Sequence, residues 1–141
     1  MPGIENTVVY TIPHGDQRYD TCGDWVYDDK DRMLAVYTSK TEDWRESFCV
    51  AIHEQVEAAL CIRAGIRQAD VDAFDIAYEA KRVEGDESEP GDSLDAPYYH
   101  EHQIATQVER IVATAIGLHW PTYEANLYAL PQGAPDVKQS R

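Results

Sequence analysis

Residues 51–61 read AIHEQVEAALC and set His53, Glu54 and Glu57 inside an otherwise apolar run. Small and unbranched residues favour a helix here, and Gly65 offers it a stop after Arg63. Upstream, Thr41 is followed by Glu42 and Asp43, an N-cap pattern with first-turn acids. The helix is therefore expected from about 41 to 65. On a wheel at about 100° per residue, Phe48, Ile52, Val56, Ala59 and Ile62 share one broad face. Val50, Leu60 and Cys61 fall elsewhere, so apolar residues nearly encircle the helix, as in a buried one. His53, Glu54 and Glu57 occupy a single arc.

A buried carboxylate needs a partner, and a metal ion suits two at once. His53 and Glu57 stand at i and i+4, the spacing of the H-E-x-x-H helix with its last histidine replaced by glutamate. In that scheme His53 and Glu57 bind zinc, while Glu54 moves protons between water and the leaving group. The plainer alternative makes His53 a core histidine and pairs Glu54 and Glu57 with Arg63 or Arg67.

A third ligand is sought in the segment PYYHEHQIATQVERIVATAIG, residues 97–117. It reads as a helix from about Tyr98 to Ile116, stopped by Gly117, with an apolar face of Ile104, Val108, Ile111 and Ala115. His102 and Glu109 lie on its flank. If the two helices pack through their apolar faces, His102 completes the site. Glu109 then orients a ligand histidine or substitutes as a ligand. His100 is expected to be exposed. Tyr98, Tyr99 and Tyr123 flank this helix, and one of them is a candidate donor to an oxyanion beside the metal.

Working outward, IENTVVYTI at 4–12 reads as a strand, and DWVYDDKDRMLAVYTSK at 24–40 as a β-hairpin about the polar centre DDKD. Between them lies a polar loop containing His14. Further helices are expected at 71–83 and after Pro121, and EGDESEPGDSLDAP at 84–97 is an acidic loop placed to border a cleft. The fold class is α+β: a small N-terminal antiparallel sheet or hairpin, then three to four helices. Residues 1–131 are assigned to one domain and 132–141 to a flexible tail.

Composition narrows the functions. The chain has 141 residues, and 43% are hydrophobic, enough for a real core. The net charge of -14 disfavours direct contact with a phosphate backbone. It leaves open an acidic protein that blocks a basic host factor by mimicking nucleic acid. No apolar run nears the roughly 20 residues of a membrane span. MPGIENTVVY lacks the pattern of a secretory signal, so a cytoplasmic location is expected. The three cysteines, Cys22, Cys49 and Cys61, are expected as reduced thiols, the last two in the core.

The segments HEQVEAALCIRAGI, VDAFDIAYEA and EPGDSLDAPYYHEHQIATQVERIVATAIGLHW resemble small proteins carried by bacteriophages and prophages. The resemblance covers about Trp44 to Tyr123. Such proteins are similar to minimal zincin-like metallohydrolases in their H-E-x-x-E helix. It implies a zincin-like order of strands, active helix and second ligand helix, and a host-cell cytoplasm as the setting. The combined expectation is a Zn²⁺ site of His53, Glu57 and His102 that cleaves a peptide or amide bond of a small peptide or protein substrate. A rival expectation is a Mg²⁺-dependent nucleotide pyrophosphohydrolase. It would use Glu54 and Glu57 with Asp72 and Asp75, since all-oxygen ligands suit magnesium.

Overall fold

The structure is a computed structural model and describes residues 3–130. The expected tail, 132–141, lies outside the described residues. Three strands come first: β1 (Asn6–Ile12), β2 (Gly23–Asp28) and β3 (Met33–Ser39). Four α-helices follow: α1 (Trp44–Ala64), α2 (Gln68–Ala80), α3 (Tyr99–Ala115) and α4 (Trp120–Tyr128). The molecule is α+β, as the order of patterns predicts.

The hairpin is present. β2 and β3 pair antiparallel from Gly23 opposite Thr38 to Asp28 opposite Met33. Its turn is tied by Asp28, whose Oδ1 accepts from the amides of Lys30 and Asp31. The sheet as a whole is mixed, not antiparallel: the strand order is β1-β3-β2, and β1 runs parallel to β3. The cause is topological. The 13–22 connection carries the chain past the place β3 will fill, and the hairpin then returns β3 into the gap alongside β1.

β3 alternates cleanly, with Leu34, Val36 and Thr38 turned inward. Leu34 and Val36, with Trp25, pack on Ala51, Ala58 and Cys61 of α1, Val71 of α2 and Tyr98. A second cluster joins Cys49 and Val50 to Ala113 and Tyr123. Asp43 caps α1, accepting from the Arg45 amide at 3.0 Å, while Thr41 sits two residues earlier and bonds the Asp43 carbonyl. Gly65 closes α1 in the left-handed region at φ 77°, its N–H reaching Cys61 and Ile62. α2 begins three residues earlier than the 71–83 expectation and ends at Ala80. Among the described residues, no helix is long and apolar enough to cross a membrane.

The faces of α1 and α3 are inverted relative to their apolar stripes. On α1 the inward positions are Glu46, Cys49, Val50, His53, Glu57 and Cys61, while Phe48 is 47% exposed. On α3 the inward positions are His102, Ala105, Glu109 and Ala113, while Ile104 and Ile111 are 49% and 70% exposed. The two helices therefore meet through imidazoles, carboxylates and alanines, not through the aliphatic faces that the wheel favoured. The small residues allow close approach of the backbones, and the ionisable groups fill the space between them.

Candidate metal centre

Three side chains converge between α1 and α3. His53 Nε2 lies 3.1 Å from Glu57 Oε2 and 3.2 Å from His102 Nδ1, and His102 Nδ1 lies 2.9 Å from the same Glu57 oxygen. All three residues are buried. Four ligands around zinc at about 2.0–2.1 Å stand roughly 3.3 Å apart along each tetrahedral edge. The observed triangle is only slightly tighter. His53 and Glu57 are thus brought together as their i, i+4 spacing predicts, His102 joins them although the helices do not pack through the expected apolar faces, and the fit to a small cation is close.

The outer atoms are all held. His53 Nδ1 donates to Glu109 Oε1 at 2.8 Å, and Tyr123 donates its hydroxyl to Glu109 Oε2 at 2.5 Å. Trp25 Nε1 donates to Glu57 Oε1 at 3.2 Å. His102 Nε2 faces Glu89 Oε2 at 3.2 Å and Asp92 Oδ1 at 3.4 Å. When each outer imidazole nitrogen carries the proton, both inner nitrogens present lone pairs to each other and to a carboxylate. Such a cluster calls for a cation in its centre or for additional protons among these nitrogens.

Glycine makes the packing possible. A Cβ on Gly91, which is buried, would stand 2.3 Å from Cγ and 2.4 Å from Nδ1 of His102. A Cβ on Gly23 would stand 2.9 Å from Cδ of Glu54. Glu54 lies beside the triangle, its Oε2 3.9 Å from His53 Nε2, and it lines the adjoining cleft. Residues 87–91 of the acidic loop form part of the wall of that cleft, as expected of the loop.

The electrostatics follow from burial and pairing. Burial raises Glu57, but hydrogen bonds from His102 and His53 outweigh it and hold the carboxyl at about 2. Burial lowers His102, but hydrogen bonds to Asp92, Glu57 and Glu89 overcome it and raise the ring to about 12. His53 is likewise raised well above its ordinary value, Glu109 and Glu57 prevailing over burial. Burial, then Glu57, pushes Glu54 well upward. In the ion-free protein the surrounding carboxylates therefore favour the protonated form of both rings.

The stability contributed by charged His102 is complete below its ordinary 6.5 and is lost as pH rises toward about 12. That of Glu57 is complete above 4.5 and is lost as pH falls toward about 2. Glu54, raised by burial, weakens the fold as pH climbs, in the same direction as the histidines. In chelator, the melting temperature is expected to fall as pH rises above 6.5. With zinc present the trend reverses, because the ion and the protons compete for the same nitrogens. Melts from pH 5 to 9 with and without zinc check this, and parallel curves would contradict it.

Other expectations land differently. Arg67 pairs with Asp70 at 2.9 Å and Arg63 is exposed, so neither serves Glu54 or Glu57. His100 is exposed. Tyr98 donates to Asp75 and Tyr123 to Glu109, so these hydroxyls serve carboxylates of the fold. His14 is buried in a short 3-10 turn between Ser39 and Asp20, not loose in a loop. Asp72 is gripped by both terminal nitrogens of Arg18 at 3.0 Å, and Asp75 holds Tyr19 and Tyr98. Among the described residues, neither Asp72 nor Asp75 belongs to a grouping that could hold a metal. A second grouping, Glu89 and Asp92 with His102, has two exposed acids and shares the ring it orients.

Trp25, Gly91, Glu89 and Asp92 escaped the sequence reading. Trp25 sits 32 positions from Glu57 on a different element, and no short spacing links them. No family model matches the chain, and neither the curated proteins nor the solved structures contain a match to it.

Proposed function

We propose that His53, Glu57 and His102 bind one divalent ion, zinc by preference, and that the cleft beside it hydrolyses an amide bond. Two imidazoles and one carboxylate with room for water form a donor set of catalytic zinc sites. The observation that carries the reading is the meeting of three ligand atoms within 3.2 Å, with every outer atom held by a carboxylate or an indole. Magnesium is less well served, since it favours oxygen ligands and octahedral geometry.

A bound ion would supply Lewis acidity and a water acidic enough to attack near neutral pH. The chain's own residues do the rest. Glu109 and the Glu89–Asp92 pair fix the tautomers of His53 and His102, so that both inner nitrogens face the ligand position. Trp25 holds one Glu57 oxygen and leaves the other to the ion. Glu54 accepts the proton of the attacking water and delivers it to the leaving amine as the C–N bond breaks and the C–O bond forms.

The test is metal content. Purified without chelator and loaded with zinc, the protein is expected to hold about one ion and to release protons from the rings on binding near pH 7. His53→Ala is expected to hold none while keeping its far-UV circular dichroism. Equal zinc in both proteins would sink the reading.

A further inference from the structure

The cleft beside the triangle has a volume of about 200 Å³, below the roughly 300–1,000 Å³ of sites for drug-sized ligands. Acidic side chains outnumber arginine and lysine along its walls nine to one. Arg82 is spent locally: Glu79 takes two of its nitrogens at 2.7 and 2.8 Å, the Asp86 carbonyl takes the third, and the Ser88 carbonyl shares one with Glu79. One divalent ion offsets two of these negative charges and Arg82 a third, and burial raises Glu54 and pushes Asp75 up to about 7, so the negative field comes from the remaining carboxylates. Such a field concentrates cations and repels phosphates and carboxylates.

The same wall holds an unused polar atom. Thr106 Oγ1 is buried, lines the cleft, and is the one buried side-chain oxygen or nitrogen without a partner among the described residues. It stands one turn after His102 on α3, where an incoming polar group would satisfy it.

The sheet edge nearest the site is closed to a polypeptide. The outward groups of β2 belong to Gly23, Trp25 and Tyr27. Thr21 Oγ1 donates to the Gly23 carbonyl at 2.7 Å and accepts from its amide at 3.4 Å. The Gln68 side chain donates to the Trp25 carbonyl at 2.8 Å and accepts from the Tyr27 amide at 2.9 Å. These side chains occupy four of the six outward backbone groups of Gly23, Trp25 and Tyr27, so an extended peptide has no continuous row to pair with.

We infer that the substrate is a small cationic amide, carrying an ammonium or guanidinium group, and not an extended polypeptide or a phosphate ester. This rests on the metal reading above and narrows it. The charged end of the substrate faces the acidic wall, and its amide lies toward the metal and Glu54.

The hydroxamates of arginine, norleucine and glutamic acid share one metal-seeking head and differ in the charge of the side chain. Titrated calorimetrically into the zinc-loaded protein, the arginine compound is expected to bind at least 10-fold more tightly than the norleucine compound, with the glutamic acid compound weakest. The gap should narrow severalfold at 0.5 M salt. Glu87→Gln combined with Glu124→Gln should lower arginine hydroxamate affinity severalfold and leave norleucine hydroxamate unchanged. Equal affinities for the three, or a preference for the acidic one, would overturn the charge assignment while the metal centre stood. Binding of a blocked hydrophobic pentapeptide as tightly as arginine hydroxamate would overturn the exclusion of strands. Absence of zinc uptake would remove the metal centre and this inference together.

Discussion

Glu54→Gln is expected to keep a full complement of zinc and to lose about 10²–10⁴-fold in kcat. The substitution preserves volume, which matters because Glu54 is pressed against Gly23 with Val50 alongside. It removes only the ability to take up and return a proton. Glu54 is suited to that exchange by position and by environment. It lines the cleft within 3.9 Å of a ligand nitrogen, and burial and Glu57 both push its carboxyl upward, which favours its holding a proton. The measurement is turnover of a cationic amide, such as arginine 4-nitroanilide, with zinc stoichiometry and melting temperature followed in parallel. Undiminished kcat would remove Glu54 from the chemistry. Zinc lost together with activity would make it a ligand instead of a proton carrier.

Gly91→Ala is expected to weaken zinc binding by about 10²-fold and to cost about 1–3 kcal/mol of stability. The reason is space alone, for the backbone there is not left-handed. The new methyl would overlap three atoms of the His102 ring, at 2.3, 2.4 and 2.7 Å. One of them is Nδ1, the nitrogen turned toward His53 and Glu57. The ring is buried and pinned from behind by Glu89 and Asp92, so it cannot yield without leaving the triangle. Gly15→Ala is the control, since a Cβ there meets nothing within 4 Å. Competition with a chromogenic chelator reads the affinity, and thermal melting in chelator reads the stability. Unchanged zinc affinity in Gly91→Ala would mean that the His102 ring does not lie against this glycine.

How much of this was legible beforehand depends on the range of the signal. The i, i+4 relation of His53 and Glu57 is local, and the helix that realises it follows from the chain's own periodicity. His102 was reachable because only a few polar residues on α3 could serve. That this polar arc, and not the aliphatic faces, makes the contact between α1 and α3 was not legible. A wheel ranks faces by hydrophobicity, and by that measure Phe48, Ile52, Ile104 and Ile111 belong inside. The alanines at 105 and 113 on α3 decide otherwise, because small residues bring the helices close and the ionisable groups pair across the gap. The parallel placement of β1 was hidden for a related reason. Alternation marks a strand and its buried face and carries no record of its neighbour's direction. Trp25, Glu89, Asp92 and Gly91 act on the site only through tertiary approach, which no spacing along the chain encodes.

The join between α1 and α3 has a bearing on the protein's life in a cell. It is held by charged groups whose mutual attraction depends on what sits among them, and stripping one partner from such a buried set costs about 3–5 kcal/mol. Occupancy by an ion at 100 times its dissociation constant adds about 2.7 kcal/mol to folding. On the proposed reading, starvation for that ion forfeits this increment, protons taking its place on His53 and His102, and shifts the chain toward its protease-sensitive unfolded state. Abundance would then track nutrient metal without any dedicated sensor.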